Sequence, residues 1–134
     1  MQTAANMTIA TTNGNTIYTL NRVGENSVEW RATTVDGTVF DSVAIMPKLT
    51  LSIRRPTKSA RSTRYTLRLV VPLWDETVTP AVSKGQILSE HNLVFPDSHY
   101  MYDGAYGELT LDIVEKVLQQ SIIHDSISAM TFMR

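Results

Sequence analysis

Apolar and polar residues alternate through most of the first hundred positions and then give way to a three- and four-residue spacing. The alternation is clearest from Lys48 to Arg54, where Leu49, Leu51 and Ile53 fall on one side and Lys48, Thr50, Ser52 and Arg54 on the other. It returns from Ser62 to Val71, with Tyr65, Leu67, Leu69 and Val71 opposed to Arg64, Thr66 and Arg68. Successive side chains of a strand point to opposite faces, so each stretch predicts a strand with one face buried. The polar run 55–61 joins them as a hairpin. A hairpin that sets both apolar rows against one core must also set both polar rows side by side.

The same reading extends outward. Asn13-Gly14 lies between β-forming stretches at Thr8–Thr11 and Thr16–Asn21, which predicts an N-terminal hairpin turning at residues that accept positive φ. In 28–33, Val28, Trp30 and Ala32 alternate with Glu29, Arg31 and Thr33, another half-buried strand. Asp36-Gly37 marks a turn, and a further short strand is expected from Val39 to Ile45. Residues 75–85, with the Thr79-Pro80 step, predict a long exposed loop, and Gln86–Phe95 a final strand. After Gly107 the apolar positions Leu109, Ile113, Val114, Val117, Leu118 and Ile122 define an amphipathic helix with Asp112, Glu115, Lys116 and Gln119 outside. His124–Arg134 is compatible with a second short helix or a terminal strand.

The predicted class is therefore α+β: an N-terminal β-hairpin, an antiparallel five-stranded sheet and a C-terminal helical region. A five-stranded sheet is about 24 Å wide, whereas one helix with its side chains covers about 10 Å. The simplest cover for the remaining apolar strip is the helix of a second copy, in an intertwined homodimer with a continuous sheet.

Composition narrows the chemistry. With 134 residues, 43% hydrophobic and 19% charged, the chain is expected to fold as one soluble domain. It has no cysteine, which removes disulfides, thiolate metal sites and a cysteine nucleophile. The first residues lack a basic, apolar leader pattern and no apolar run approaches a membrane span, so neither secretion nor a membrane is expected. His91, His99 and His124 lack metal-ligand spacing, and Asp97-Ser98-His99 is a turn sequence whose adjacent side chains cannot form a triad. No enzyme activity, cofactor or metal is expected.

The net charge of −1 hides a strong asymmetry. Between Ser42 and Trp74 lie seven basic residues, Lys48, Arg54, Arg55, Lys58, Arg61, Arg64 and Arg68, and no acidic one, whereas the rest of the chain carries −8. A solvated sheet face is often rich in Lys, Arg and Thr, and that reading accounts for the residue types. The absence of interleaved acid favours a surface for a polyanion. Lys48, Arg54, Arg64 and Arg68 suit phosphates, and Thr50, Ser52 and Thr66 offer short hydroxyls to the edge of an unstacked base.

Val28-Glu29-Trp30, then Lys48-Leu49-Thr50-Leu51-Ser52-Ile53-Arg54, then Arg64-Tyr65-Thr66-Leu67-Arg68-Leu69-Val70-Val71-Pro72 resembles the coat proteins of the single-stranded RNA bacteriophages, the leviviruses. The resemblance extends over most of the chain. It implies a single coat-protein domain over 1–134, with hairpin and sheet at about 8–95 and the helical region at about 104–134. It further implies a capsid protein of the virion, assembled in the bacterial cytoplasm as homodimers that build an icosahedral shell around genomic RNA. Lys48, Thr50, Ser52, Arg54, Arg64, Thr66 and Arg68 match the family's RNA-contacting positions, and Thr50, Ser52, Thr66 and Arg68 those of its pocket for an unpaired adenine. The RNA partner would be a stem-loop serving as translational operator and packaging signal, and loop 75–85 would gather around the shell's symmetry axes. The sequence departs from the family where its last strand supplies a stacking aromatic, since Leu88, Glu90 and Asn92 occupy that face here. The stretch 97–106, with Tyr100, Tyr102 and Tyr106, is longer than the family's link into the helix. A non-assembling homodimeric RNA-binding regulator using the same face is the alternative.

Overall fold

The structure, a computed structural model, describes residues 4–40, 42–59, 61–75, 82–95 and 104–128. It forms two compact units, one ending at Val94 and the other running from Phe95.

The first unit is a seven-stranded antiparallel sheet: β1 (Met7–Thr11), β2 (Gly14–Val23), β3 (Ser27–Val35), β4 (Thr38–Val39), β5 (Lys48–Arg54), β6 (Thr63–Asp75) and β7 (Val82–Phe95), ordered β1-β2-β3-β5-β6-β7 with β4 beside β3. The N-terminal hairpin continues the five predicted strands as part of one sheet. Its turn residues are Thr12 and Asn13, one position earlier than the Asn-Gly signal suggests, and Thr11 pairs with Gly14. Gly14 serves another purpose. It lies at φ 149°, and a Cβ there would meet the Asp36–Gly37 backbone at 3.0 Å. The second hairpin tip packs onto the first, with Gly37 N–H donating to Asn15 O at 2.9 Å. Asp36 and Gly37 both take positive φ, 49° and 82°, as a two-residue primed turn requires.

The strand expected over Val39–Ile45 is corrected to two residues of β4 followed by a 3-10 turn at Val43–Ile45. One edge of β3 serves two partners: Thr34 and Val35 pair with β4, while Ser27–Arg31 pair with β5. The chain must leave the edge to let β5 take it. Buried Ile45 anchors that departure, and Ala32 N–H donates to Pro47 O at 2.8 Å just before β5 begins. The ring of Phe40 meets that of Trp74 edge-on, with centroids 5.5 Å apart.

β5 starts and ends where alternation places it, and its ladder with β6 runs from Lys48↔Val70 to Arg54↔Arg64. β6 and β7 extend further than expected, to Asp75 and back to Val82, so the strands consume both ends of the predicted loop; its centre, 76–81 with Pro80, lies outside the described residues. Trp30 and Ala32 of β3 are buried, and the indole N–H of Trp30 donates to Ala5 O at 2.9 Å, fastening the N-terminal stretch.

The second unit holds α1 (Gly104–Gln119) and α2 (Ser121–Ser128). α1 begins before Gly107, and the helical alternative for the segment after His124 is the one found as far as Ser128. Asp112 and Lys116 pair at 3.4 Å one turn apart on an exposed face. Residues 96–103 and 129–134 lie outside the described residues, as do the side chains of Tyr106 and His124. No helix among the described residues is long and apolar enough to cross a membrane.

Candidate nucleic-acid interface

The β5–β6 register decides which polar side chains meet. Thr50 lies opposite Arg68, Ser52 opposite Thr66 and Arg54 opposite Arg64. β3 adds a third row on the same face, with Ser27 opposite Ser52, Glu29 opposite Thr50 and Arg31 opposite Lys48. β7 supplies a fourth, because the Thr66 hydroxyl donates to Asn92 Oδ1 at 2.7 Å. That contact puts Asn92, and by alternation Glu90, Leu88 and Gln86, on the polar face.

These rows enclose a concavity of about 510 Å³, lined by five of the seven predicted residues, Lys48, Thr50, Ser52, Thr66 and Arg68, together with Glu29, Val70, Gln86 and Glu90. Its volume falls within the range of roughly 300–1,000 Å³ usual for ligand clefts. Arg54 and Arg64 stand apart from it, opposed at the end of the ladder that leads into the β5–β6 loop, and the Arg54 guanidinium donates to Ser62 Oγ at 3.2 Å. Like charges set directly across a ladder repel, so this pair is best accommodated with an anion between them.

The face is less uniformly basic than the charge count from 42 to 74 suggests. Glu29 pairs with Lys48, Oε1 to Nζ at 3.3 Å, and accepts a hydrogen bond from the Asn21 amide. The Asn21 hydrogen bond, opposed in part by burial and reinforced by Lys48, holds the Glu29 carboxyl below its usual range. Lys48 is therefore already neutralised in the free protein, whereas among the described residues Arg64 and Arg68 have no ion pair. The signal for Glu29 was present in the Val28–Thr33 alternation. It becomes informative once β3 is known to pair with β5.

Glu90 enters from β7, where the sequence comparison put it. Its carboxylate accepts from the Asn92 amide at 3.1 Å, and Asn92 in turn accepts from Thr66. The face of β7 on which the resemblance leads one to expect a stacking aromatic carries instead a hydrogen-bonded run of polar groups. A face with cations, hydroxyls and amides in register can hold phosphates at its edges and read the edge of a base at its centre.

No protein-family model matches the sequence, and no curated protein matches it. Solved structures do. A virus-like particle of Beihai levi-like virus 21 is similar with a TM-score of 0.82 at 13% identity, covering 99% of each chain. The capsid protein of bacteriophage GA is similar at 0.67 and 16% identity, over 96% of this chain and 95% of that one. An unassembled bacteriophage coat-protein dimer, described as RNA-binding, is similar at 0.65 and 19% identity, over 97% of each. This chain thus has the fold of these levi-like virus and bacteriophage coat proteins along nearly its whole length.

Proposed function

We propose that this chain is a viral capsid protein whose homodimers assemble into an icosahedral shell around single-stranded RNA, with the polar face of the sheet turned towards the RNA. The observation that carries the reading is the register of β3, β5 and β6, which gathers Lys48, Thr50, Ser52, Thr66 and Arg68 around one concavity in a chain with a coat-protein fold. Arg64 and Arg68 neutralise phosphates, releasing the counterions condensed on the RNA, while the hydroxyls between them meet base edges. Arg54 belongs with Arg64, as a phosphate clamp beside the concavity. An RNA stem-loop is the expected specific ligand, bound as translational operator and packaging signal. The shell forms in the host cytoplasm, with the β6–β7 connection meeting its neighbours around symmetry axes.

The test is expression of the chain alone in bacteria, followed by size exclusion with absorbance at 260 and 280 nm and electron microscopy of the leading peak. Particles of uniform size that contain nucleic acid are expected. Dimers that bind RNA but never assemble, even with added RNA, would overturn the capsid assignment in favour of an RNA-binding regulator.

A further inference from the structure

The polar face of the sheet carries a second feature, outside the concavity and on the other side of Lys48. Arg31 lies opposite Lys48 in the β3–β5 ladder, and opposed residues share a face. Thr33 follows two residues on, about 7 Å further along β3 and on the same face, with its hydroxyl engaged by that of Thr19 at 3.0 Å. Phe40 N–H donates to Thr33 O at 2.9 Å, which continues the β3–β4 ladder by one pair and turns the Phe40 ring to that face as well. Trp74 arrives from the far end of β6, where alternation places it in the row of Arg64, Thr66, Arg68 and Val70, and its ring meets that of Phe40 edge-on with centroids 5.5 Å apart. Three elements thus bring one cation and two aromatic rings to a single strip. None of Arg31, Phe40 and Trp74 lines the concavity.

We infer that Arg31, Phe40 and Trp74 form a second RNA site, a stacking platform with a flanking cation that holds unpaired nucleotides whatever their base. The inference rests on the proposed RNA-binding function and extends it beyond the concavity. Both rings are half-buried, unlike Trp30, which is buried on the opposite face. An edge-on contact with the ring planes at 72° blocks one face of one ring and none of the other. Apolar rings on a polar sheet surface gain from being covered, and a base covers them by stacking. Every base has a π-face, so such a platform is tolerant of sequence. Arg31 supplies the charge. It stands across the ladder from a like charge, and whereas Lys48 has Glu29 as its ion pair, Arg31 has none among the described residues. A phosphate beside Arg31 relieves that repulsion and leaves the attached base within reach of the rings one row along.

The test uses the full-length chain freed of copurifying RNA, with short oligo(A), oligo(U) and a blunt RNA duplex as probes. The chain has two tryptophans, Trp30 and Trp74, and their fluorescence is the readout. Both single strands are expected to quench the emission, because a base stacked on the Trp74 indole quenches it on contact. The quenching should vanish in Trp74→Phe, which keeps an aromatic ring and leaves buried Trp30 as the emitter. Trp74→Leu should weaken binding of both single strands roughly tenfold, within the range for one stacked base, and leave the duplex, whose bases are already stacked, nearly unaffected. Arg31→Gln should weaken all three probes and flatten the log-affinity against log-salt slope by about one. Single strands that bind the wild type without quenching it, or quenching that survives Trp74→Phe, overturn the inference and leave the RNA-binding reading intact. So does an equal loss of single-strand and duplex binding in Trp74→Leu, which would mark Trp74 as a packing residue. Failure of the wild type to bind any of the three probes overturns both.

Discussion

Glu29 is the residue whose placement most alters the electrostatics of the polar face. Its neighbours in sequence predict a half-buried strand, but its consequence depends on Lys48, nineteen positions away and brought alongside by the β3–β5 ladder. Neutralising it in Glu29→Gln releases Lys48 for phosphate. The expected result is tighter non-specific RNA binding with a steeper log-affinity against log-salt slope, by about one. Arg68→Ala should flatten the slope by a similar amount, since Arg68 has no ion pair among the described residues. Filter or fluorescence titrations across a salt series check both, and an unchanged slope in Glu29→Gln would mean that Lys48 takes no part. The same carboxyl links stability to pH. Because its titration is shifted downward in the folded state, the stabilisation it gives is complete above the ordinary value of 4.5 and is lost as pH falls through the lowered one. Urea unfolding between about pH 3 and 6 should show a shallower acid decline in Glu29→Gln than in the wild type. The five predicted residues that line the concavity, Lys48, Thr50, Ser52, Thr66 and Arg68, were legible from alternation and charge within 48–68. Glu29 and Asn21 were not, because a count along the chain does not see neighbours across a sheet.

At the scale of elements, legibility followed period. β5 came out residue for residue, since seven alternating positions fix both its limits and its faces. The β3–β4–β5 crossover was opaque because which strand occupies which half of the β3 edge is settled by pairing, and no local pattern in Val39–Ile45 records it. α1 starts before the apolar spacing shows itself after Gly107, because Gly104 and Gly107 have poor helix propensity and add no apolar position to the pattern. The break at Gln120 was hidden by apolar spacing that continues to Ile122 on the far side. β7 shows what alternation assigns and what it leaves open. It puts Glu90 and Asn92 with Thr66 and so puts His91 on the opposite, apolar face, where His91 Nε2 is buried without a hydrogen-bond partner among the described residues. A buried polar atom left unsatisfied costs about 1–3 kcal/mol, so His91→Leu should stabilise the protein by about 1 kcal/mol. The measurement is the urea midpoint at fixed protein concentration. A lower midpoint in the variant would show that the imidazole has a partner supplied on association.

For the whole molecule, the decisive quantity is the apolar surface each unit leaves uncovered. On the sheet, Leu51, Tyr65 and Leu67 belong to the row that alternation assigns to a core, yet they remain 38%, 39% and 40% exposed. In the helical unit, Leu109 and Ile113 are 55% and 53% exposed. Among the described residues the buried hydrophobic side chains are Trp30, Ala32 and Ile45, all in the sheet unit. Apolar rows left this open offer surface that association can bury. In the proposed two-fold dimer the helical face of each copy would cover the open sheet row of the other. If that dimer is obligate, folding and dimerisation are one reaction, and stability depends on concentration. Raising the protein concentration a hundredfold should stabilise the native state by about 2.7 kcal/mol, seen as a rise in the urea midpoint. Leu67→Asp, which puts a charge into the middle of the open row, should abolish the folded state together with the dimer if the proposed dimer completes the core. A midpoint independent of concentration, or a folded monomeric Leu67→Asp, would show that one chain completes its own core, and the second copy would then be a matter of assembly rather than of folding.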